Sequence, residues 1–287
     1  MAIPTPSVAL LPSMFTLANA GCGLLAISKA IDALAAGAKT QEYHHLLESS
    51  CWLVVLALVF DALDGKVARL TDSSSPMGAQ LDSFADAITF GVAPAMVAKT
   101  MLEAEGLFHP RLNFLAVAAY SLLAVVRLAR FNLTTEPGEE HHRFFQGLPS
   151  PAAAGTLVAT ILMCLSLGGG IEGSGEAATP VGRGLAFLPE SFRMQATEYL
   201  QPVVFVLLPL LGLLMVSNIR YRHATARAEG ERNSQVALVK FIFLLLLLYL
   251  APVPFLFFLG YFYIGRGLWG AWRNKASRSN EALRKVG

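Results

Sequence analysis

Along this chain, polar residues are confined to short interruptions between long apolar runs. The runs lie near 12–36, 46–66, 79–101, 112–131, 150–168, 197–217, 235–250 and 251–267. About 20 mostly apolar residues carry a helix across the hydrocarbon core of a bilayer, so the pattern predicts eight membrane-crossing helices. The last two form one unbroken run too long for a single span, and Pro252 and Pro254 near its middle predict a tight hairpin between two short helices. The expected fold is therefore all-α: a polytopic membrane helical bundle forming one integral-membrane domain over 1–287. A six-helix core would span 12–217, with an additional C-terminal helical hairpin at 235–267. Gly168–Gly184, rich in glycine, reads as a flexible loop on the outer side.

Composition agrees. Of 287 residues 54% are hydrophobic and only 15% charged, with a mean hydropathy of +0.53; soluble chains run near a quarter charged. That excludes a soluble globule, and a chain this apolar would not stay disordered either. Cys22, Cys51 and Cys164 are odd in number, far apart and set in apolar runs, so they do not make a disulfide framework. A net charge of +2 gives no reason to expect nucleic acid as a partner. The distribution of charge is more informative. Counted over alternate connections, 15 of the 22 Lys and Arg residues fall on one side, among them Lys66, Arg69, Arg127, Arg130, Arg220 and the tail from Arg266 to Lys285. Six fall on the other, and Lys240 lies inside a span, where it can snorkel to the interface. Positive residues stay inside, which predicts both termini in the cytoplasm and a multi-pass protein of the cytoplasmic membrane. The first run follows no basic side chain, so it reads as a retained helix rather than a cleaved signal.

Carboxylates at membrane depth are costly and normally face a partner or a wet cavity. Asp61 and Asp64 close the second run, and Asp82 and Asp86 open the third. The spacings are i, i+3 and i, i+4, so each pair occupies one face of its helix. The segment between them, residues 65–78, reads as a cytoplasmic turn. In an antiparallel hairpin Asp61 would face Asp86 and Asp64 would face Asp82, in layers about 5 Å apart. Four such carboxylates cannot all ionise without counter-charge, and the layer spacing suits two divalent ions about 4 Å apart. Oxygen-only donors favour Mg²⁺ or Mn²⁺, with Ca²⁺ also possible, over Zn²⁺. Ala62, Gly65, Ala68, Gly78, Ala79 and Ala85 would allow close approach of helices and ligand. Asp72, and Glu139 to His142 beside Pro137 and Gly138, read as solvated loop groups.

Written out, Asp61-x₂-Asp64-Gly65-x₂-Ala68-Arg69, then eight residues, then Gly78-x₃-Asp82-x₃-Asp86 resembles the signature of the CDP-alcohol phosphatidyltransferases. Further stretches are similar to the serine-accepting branch of that family: Pro12 to Asn19 with Gly21-Cys-Gly23, Phe90-Gly91-Val-Ala-Pro94, Arg127-Leu-Ala-Arg130-Phe131-Asn132, and Phe145-Gln-Gly147-Leu-Pro149-Ser150-Pro151. The resemblance implies transfer of the phosphatidyl group of CDP-diacylglycerol to the hydroxyl of an alcohol, with CMP released; with L-serine the product is phosphatidylserine. It implies that Asp61, Asp64 and Asp82 are metal ligands, and that Asp86 sits by the metals as general base. Asp61, Gly65, Ala68, Arg69 and Gly78 would belong to the CDP-lipid site. It also implies a homodimer. A route through a phosphatidyl-histidine would need an HxK motif, and no histidine is followed two places later by lysine.

The signature does not name the acceptor; relatives use glycerol 3-phosphate, inositol phosphate or choline. Serine brings a carboxylate, and Arg127 and Arg130, i, i+3 at the end of the fourth span with Asn132 behind them, could hold it by charge-assisted bonds. They could equally anchor the helix end at the headgroups. Ser150 and Gln146 could line the same mouth or serve as caps and core. Intramembrane acids also mark cation transporters, but here they gather at one hairpin with Gly65 and Arg69 rather than along a path through the membrane.

Overall fold

A computed structural model of the chain describes residues 6–38, 40–70, 76–134, 144–168, 185, 188–222 and 234–286. Helices dominate: α1 (Pro6–Ala36), α2 (Gln41–Leu70), α3 (Pro76–Asp86), α4 (Ala93–Glu105), α5 (Pro110–Thr134), α6 (Ser150–Gly168), α7 (Glu190–Val216), α8 (Ser234–Leu250) and α9 (Pro252–Val286). A π-helical segment, Ala87–Val92, joins α3 to α4, making one long element of the third apolar run. Six helices among the described residues are long and apolar enough to cross a membrane, from Ser13–Ala36 through Glu190–Val216. They correspond to the first six apolar runs. α2 continues five residues past Gly65, because Lys66 to Leu70 contain no breaker. The expected loop groups at Asp72, Glu139 to His142 and 169–184 lie outside the described residues.

α6 is the central helix. It carries no charged side chain, and every residue from Thr156 to Leu167 is buried. An element apolar on all sides belongs inside a bundle. Its hydroxyls are satisfied locally: Thr156 donates to the Ala152 carbonyl at 2.8 Å, Thr160 to Thr156 at 2.8 Å and Ser166 to Leu162 at 2.7 Å. α1 packs along α2, and α7 lies against both α5 and α6. The three cysteines are buried free thiols. Over the last apolar run, where a tight hairpin of two short helices was expected, α8 and α9 meet at Ala251 and α9 runs on to Val286. Backbone bonds from Ala251 to Leu247 (2.9 Å) and from Phe255 to Ala251 (3.0 Å) run across the junction. α9 docks on α6, with Tyr261 Oη 3.2 Å from Thr160 Oγ1.

Two three-residue strands, β1 (Phe144–Gln146) and β2 (Arg220–Arg222), pair antiparallel with Phe145 opposite Tyr221. The sequence offers little sign of so short a ladder. Gly147 follows β1 at φ +83° and donates to the Ile219 carbonyl at 2.9 Å. A Cβ there would collide with the Met215 carbonyl oxygen. Gly147→Ala combines a left-handed backbone with that collision, so it should cost about 1–3 kcal/mol. A thermal-unfolding midpoint in detergent equal to that of the parent chain would show that this turn does not hold the two loops together.

Candidate active site

The acidic residues converge. Asp61 from α2 and Asp82 and Asp86 from α3 each bring a carboxylate oxygen within 4.8 Å of the others. The i, i+4 spacing on α3 lets both of its acids reach Asp61, so Asp82 joins Asp61 and Asp86 instead of pairing only with Asp64. Asp64 is 7% exposed and accepts a hydrogen bond from Thr16 Oγ1 of α1. It remains an electrostatic neighbour of Asp61 and Asp82. Asn19, one turn along α1 from Thr16, donates from Nδ2 to Asp86 Oδ1 at 3.3 Å. Thr16 and Asn19 were not assigned a role from sequence. Their signal was available, as two polar residues at i, i+3 that share one face of the first helix.

The π segment fixes the last of these acids. A π turn widens the helix and frees carbonyls for outside partners. Here α5 supplies them: Tyr120 Oη donates to the Phe90 carbonyl at 3.0 Å and Ser121 Oγ to Gly91 at 3.0 Å. From the other side Thr89 Oγ1 donates to the Asn19 carbonyl at 3.1 Å. α1 approaches closely there because residue 23 is glycine; a Cβ would lie 2.5 Å from Thr89 Oγ1. The segment after Asp86 is thus held between α1 and α5, which sets the orientation of Asp82 and Asp86 against α2.

Arg127 of α5 is the cation of the site. It is 8% exposed, its Nη1 donates to Ser150 Oγ at the start of α6 (2.7 Å), and its Nε is buried with no hydrogen-bond partner among the described residues. The ionisable groups acting on it are Asp86, Tyr263, Asp61 and Tyr120. A buried guanidinium with carboxylates on one side and a spare donor suits a second anionic group. Arg130, one turn on, donates to the Val216 carbonyl (3.3 Å) and Asn218 Oδ1 (3.0 Å) at the end of α7. Asn132 exchanges bonds with Ser83 of α3 at 3.0 and 3.3 Å. Of the three residues considered for an acceptor, Arg127 is the one turned to the acids, while Arg130 and Asn132 tie α5 to α7 and α3. Gly65 and Gly78 are half-buried near the ends of the acidic hairpin. Ala68 and Arg69 lie in the last turn of α2, with side chains outside the described residues.

These residues fit a divalent cation. Three carboxylates converge, the Asn19 Oδ1 is buried beside Asp86 without a partner among the described residues, and the cluster offers oxygen donors only.

Known proteins are similar to this chain in sequence. A CDP-diacylglycerol–serine O-phosphatidyltransferase of Helicobacter pylori (strain ATCC 700392 / 26695) is 32% identical over 222 residues, covering 76% of this chain and 74% of its own. The protein of that name from Mycobacterium tuberculosis (strain ATCC 25618 / H37Rv) is 34% identical over 169 residues, 58% of this chain and 54% of its own. That of Bacillus subtilis (strain 168) is 34% identical over 149 residues, 52% and 73% respectively. With the acidic hairpin lying inside residues 9–188, which match the profile of the CDP-alcohol phosphatidyltransferases, the chain belongs to that family.

Proposed function

We propose that this chain transfers the phosphatidyl group of CDP-diacylglycerol to the hydroxyl of L-serine, giving phosphatidylserine and CMP. The observation that carries the reading is the meeting of Asp61, Asp82 and Asp86 beside a buried Arg127; the names of the relatives supply the acceptor. The protein would sit in the cytoplasmic membrane as a homodimer of eight-span protomers, with both termini and the site on the cytoplasmic side. The excess of Lys and Arg on that side supports this topology.

Asp61, Asp64, Asp82 and Asp86 would hold the divalent metal, Mn²⁺ or Mg²⁺, in two ions. When bound, the metal neutralises charge on the pyrophosphate of the substrate. The protein does the rest. Gly65, Ala68, Arg69 and Gly78 at the mouth of the hairpin would receive the nucleotide and pyrophosphate, the glycines leaving room for the backbone to approach. Arg127, steadied by Ser150, would bind the serine carboxylate, with Arg130 and Asn132 keeping α5 in place. Asp86, oriented by Asn19, would accept the hydroxyl proton as the serine oxygen attacks the phosphorus attached to diacylglycerol. The new P–O bond forms as the bond to CMP breaks.

The test is an acceptor competition on purified protein with CDP-diacylglycerol, labelled L-serine and each of glycerol 3-phosphate, inositol phosphate and choline. The expected result is labelled phosphatidylserine and CMP in equal amounts, lost on chelation and restored by Mn²⁺ or Mg²⁺. Turnover of another alcohol with none of serine would reject the acceptor; CMP release indifferent to chelation would reject the metal.

A further inference from the structure

α9 is 35 residues long, about 50 Å at the helical rise, against about 30 Å for the hydrocarbon core. Its two halves have different surroundings. The first half is docked: Val253 is fully buried, Tyr261 meets Thr160 on α6, and Ile264 is 8% exposed. From Gly265 onward the described side chains turn outward, including two tryptophans: Trp269 is 65% and Trp272 64% exposed, their rings 5.4 Å apart. Exposed indoles suit neither bulk water nor hydrocarbon, and favour the headgroup boundary.

The sequence pattern continues this amphipathic character. Leu268, Trp272, Ala276, Leu283 and Val286 recur at helical spacing, and Arg266, Arg273, Ser277 and Arg284 recur on another stripe. From residue 266 to the end there are six basic residues against Glu281 alone. Three glycines, Gly265, Gly267 and Gly270, lie at the boundary between the halves. A Cβ at Gly265 or Gly270 would meet nothing within 4 Å among the described residues, so neither is required by packing there, and each weakens the helix relative to alanine. The least stable part of α9 therefore falls between its docked and its basic halves.

We propose that α9 beyond Gly265 is an interfacial anchor that bends at Gly265–Gly270 and lies on an anionic lipid surface, with Trp269 and Trp272 at the headgroup level and its basic residues on lipid phosphates. Charge complementarity selects this occupant: apolar-aromatic and basic stripes on one helix are the signature of binding to acidic bilayers. The proposed topology makes the surface the cytoplasmic leaflet, but the binding itself does not depend on the enzymatic reading.

The full-length protein is reconstituted in phosphatidylcholine vesicles and in vesicles with part of that lipid replaced by phosphatidylglycerol. Tryptophan emission and acrylamide quenching are read with no substrate present. The contribution of Trp52 is removed by subtracting the Trp269→Phe/Trp272→Phe chain. Phosphatidylglycerol should shift the tail emission to the blue and protect it from quenching. The difference should narrow at about 1 M salt, where the screening length is about 3 Å, and in Arg266→Gln/Arg273→Gln. Gly265→Ala/Gly270→Ala should reduce the shift. Equal spectra in the two vesicle types would overturn the proposal. A change that follows protein density rather than lipid charge would also overturn it, in favour of a protein partner. An unchanged shift in the double alanine chain would remove the hinge.

Discussion

Asp86→Asn lowers kcat by about 10²–10⁴-fold, the usual worth of a positioned general base, while CDP-diacylglycerol binding stays close to that of the parent chain. The substitution keeps the shape of the side chain and an oxygen that can still face the cation, but removes its negative charge and with it the ability to take a proton. Asp61 and Asp82 remain in place from two different helices, and the π segment is still held by Tyr120, Ser121 and Thr89. Single-turnover kinetics with labelled serine measure the chemical step, and equilibrium binding of the CDP-lipid measures the site. Parallel loss of both would sink the base assignment and leave Asp86 chiefly a ligand for the cation.

Arg127→Lys should act on the other substrate. Lysine keeps the positive charge but cannot reproduce the planar fork that bonds Ser150 while presenting a free Nε. Hydrogen bonds to charged groups contribute about 1.5–3 kcal/mol, so KM for serine should rise about 10- to 150-fold with KM for CDP-diacylglycerol little changed. A fall in kcat at constant serine KM would instead mean that Arg127 serves to balance Asp61 and Asp86. Ser150→Ala, which removes only the support, should show the same split more weakly.

Much of this site could be read from spacing alone. Intramembrane aspartates at i, i+3 and i, i+4 on successive helices have few uses, because burying charge in hydrocarbon costs too much to be incidental. Depth arithmetic put the acids in two facing pairs, Asp61 with Asp86 and Asp64 with Asp82, but it could not choose among partners across the two layers. It paired Asp82 with Asp64 alone, whereas the i, i+4 face of α3 also brings Asp82 to Asp61, and α1 engages Asp64 through Thr16. Arg127 and Arg130 looked equivalent from sequence because both end the same helix; the carbonyl end of α7, which engages only Arg130, arrives from more than 80 residues away. The π segment was hidden for a related reason: its extra residue per turn leaves the apolar run of residues 79–101 unbroken, and only Tyr120 and Ser121 across the bundle reveal it.

The β1–β2 ladder has a consequence for how the protein is made. The acidic hairpin is complete once residue 86 has left the ribosome, yet the strand that closes the ladder ends at Arg222. At about 5–20 residues per second, roughly 7–27 s of synthesis separate the two. Through that interval the nascent chain carries its carboxylates without Arg130 fastened to α7, and for the first part without Arg127 at all. Assembly is thus ordered by translation, the negative half of the site first and the clamp last. A ribosome stalled between residues 86 and 127 would leave four acids in the bilayer without Arg127 to answer them, a species for membrane quality control to recognise.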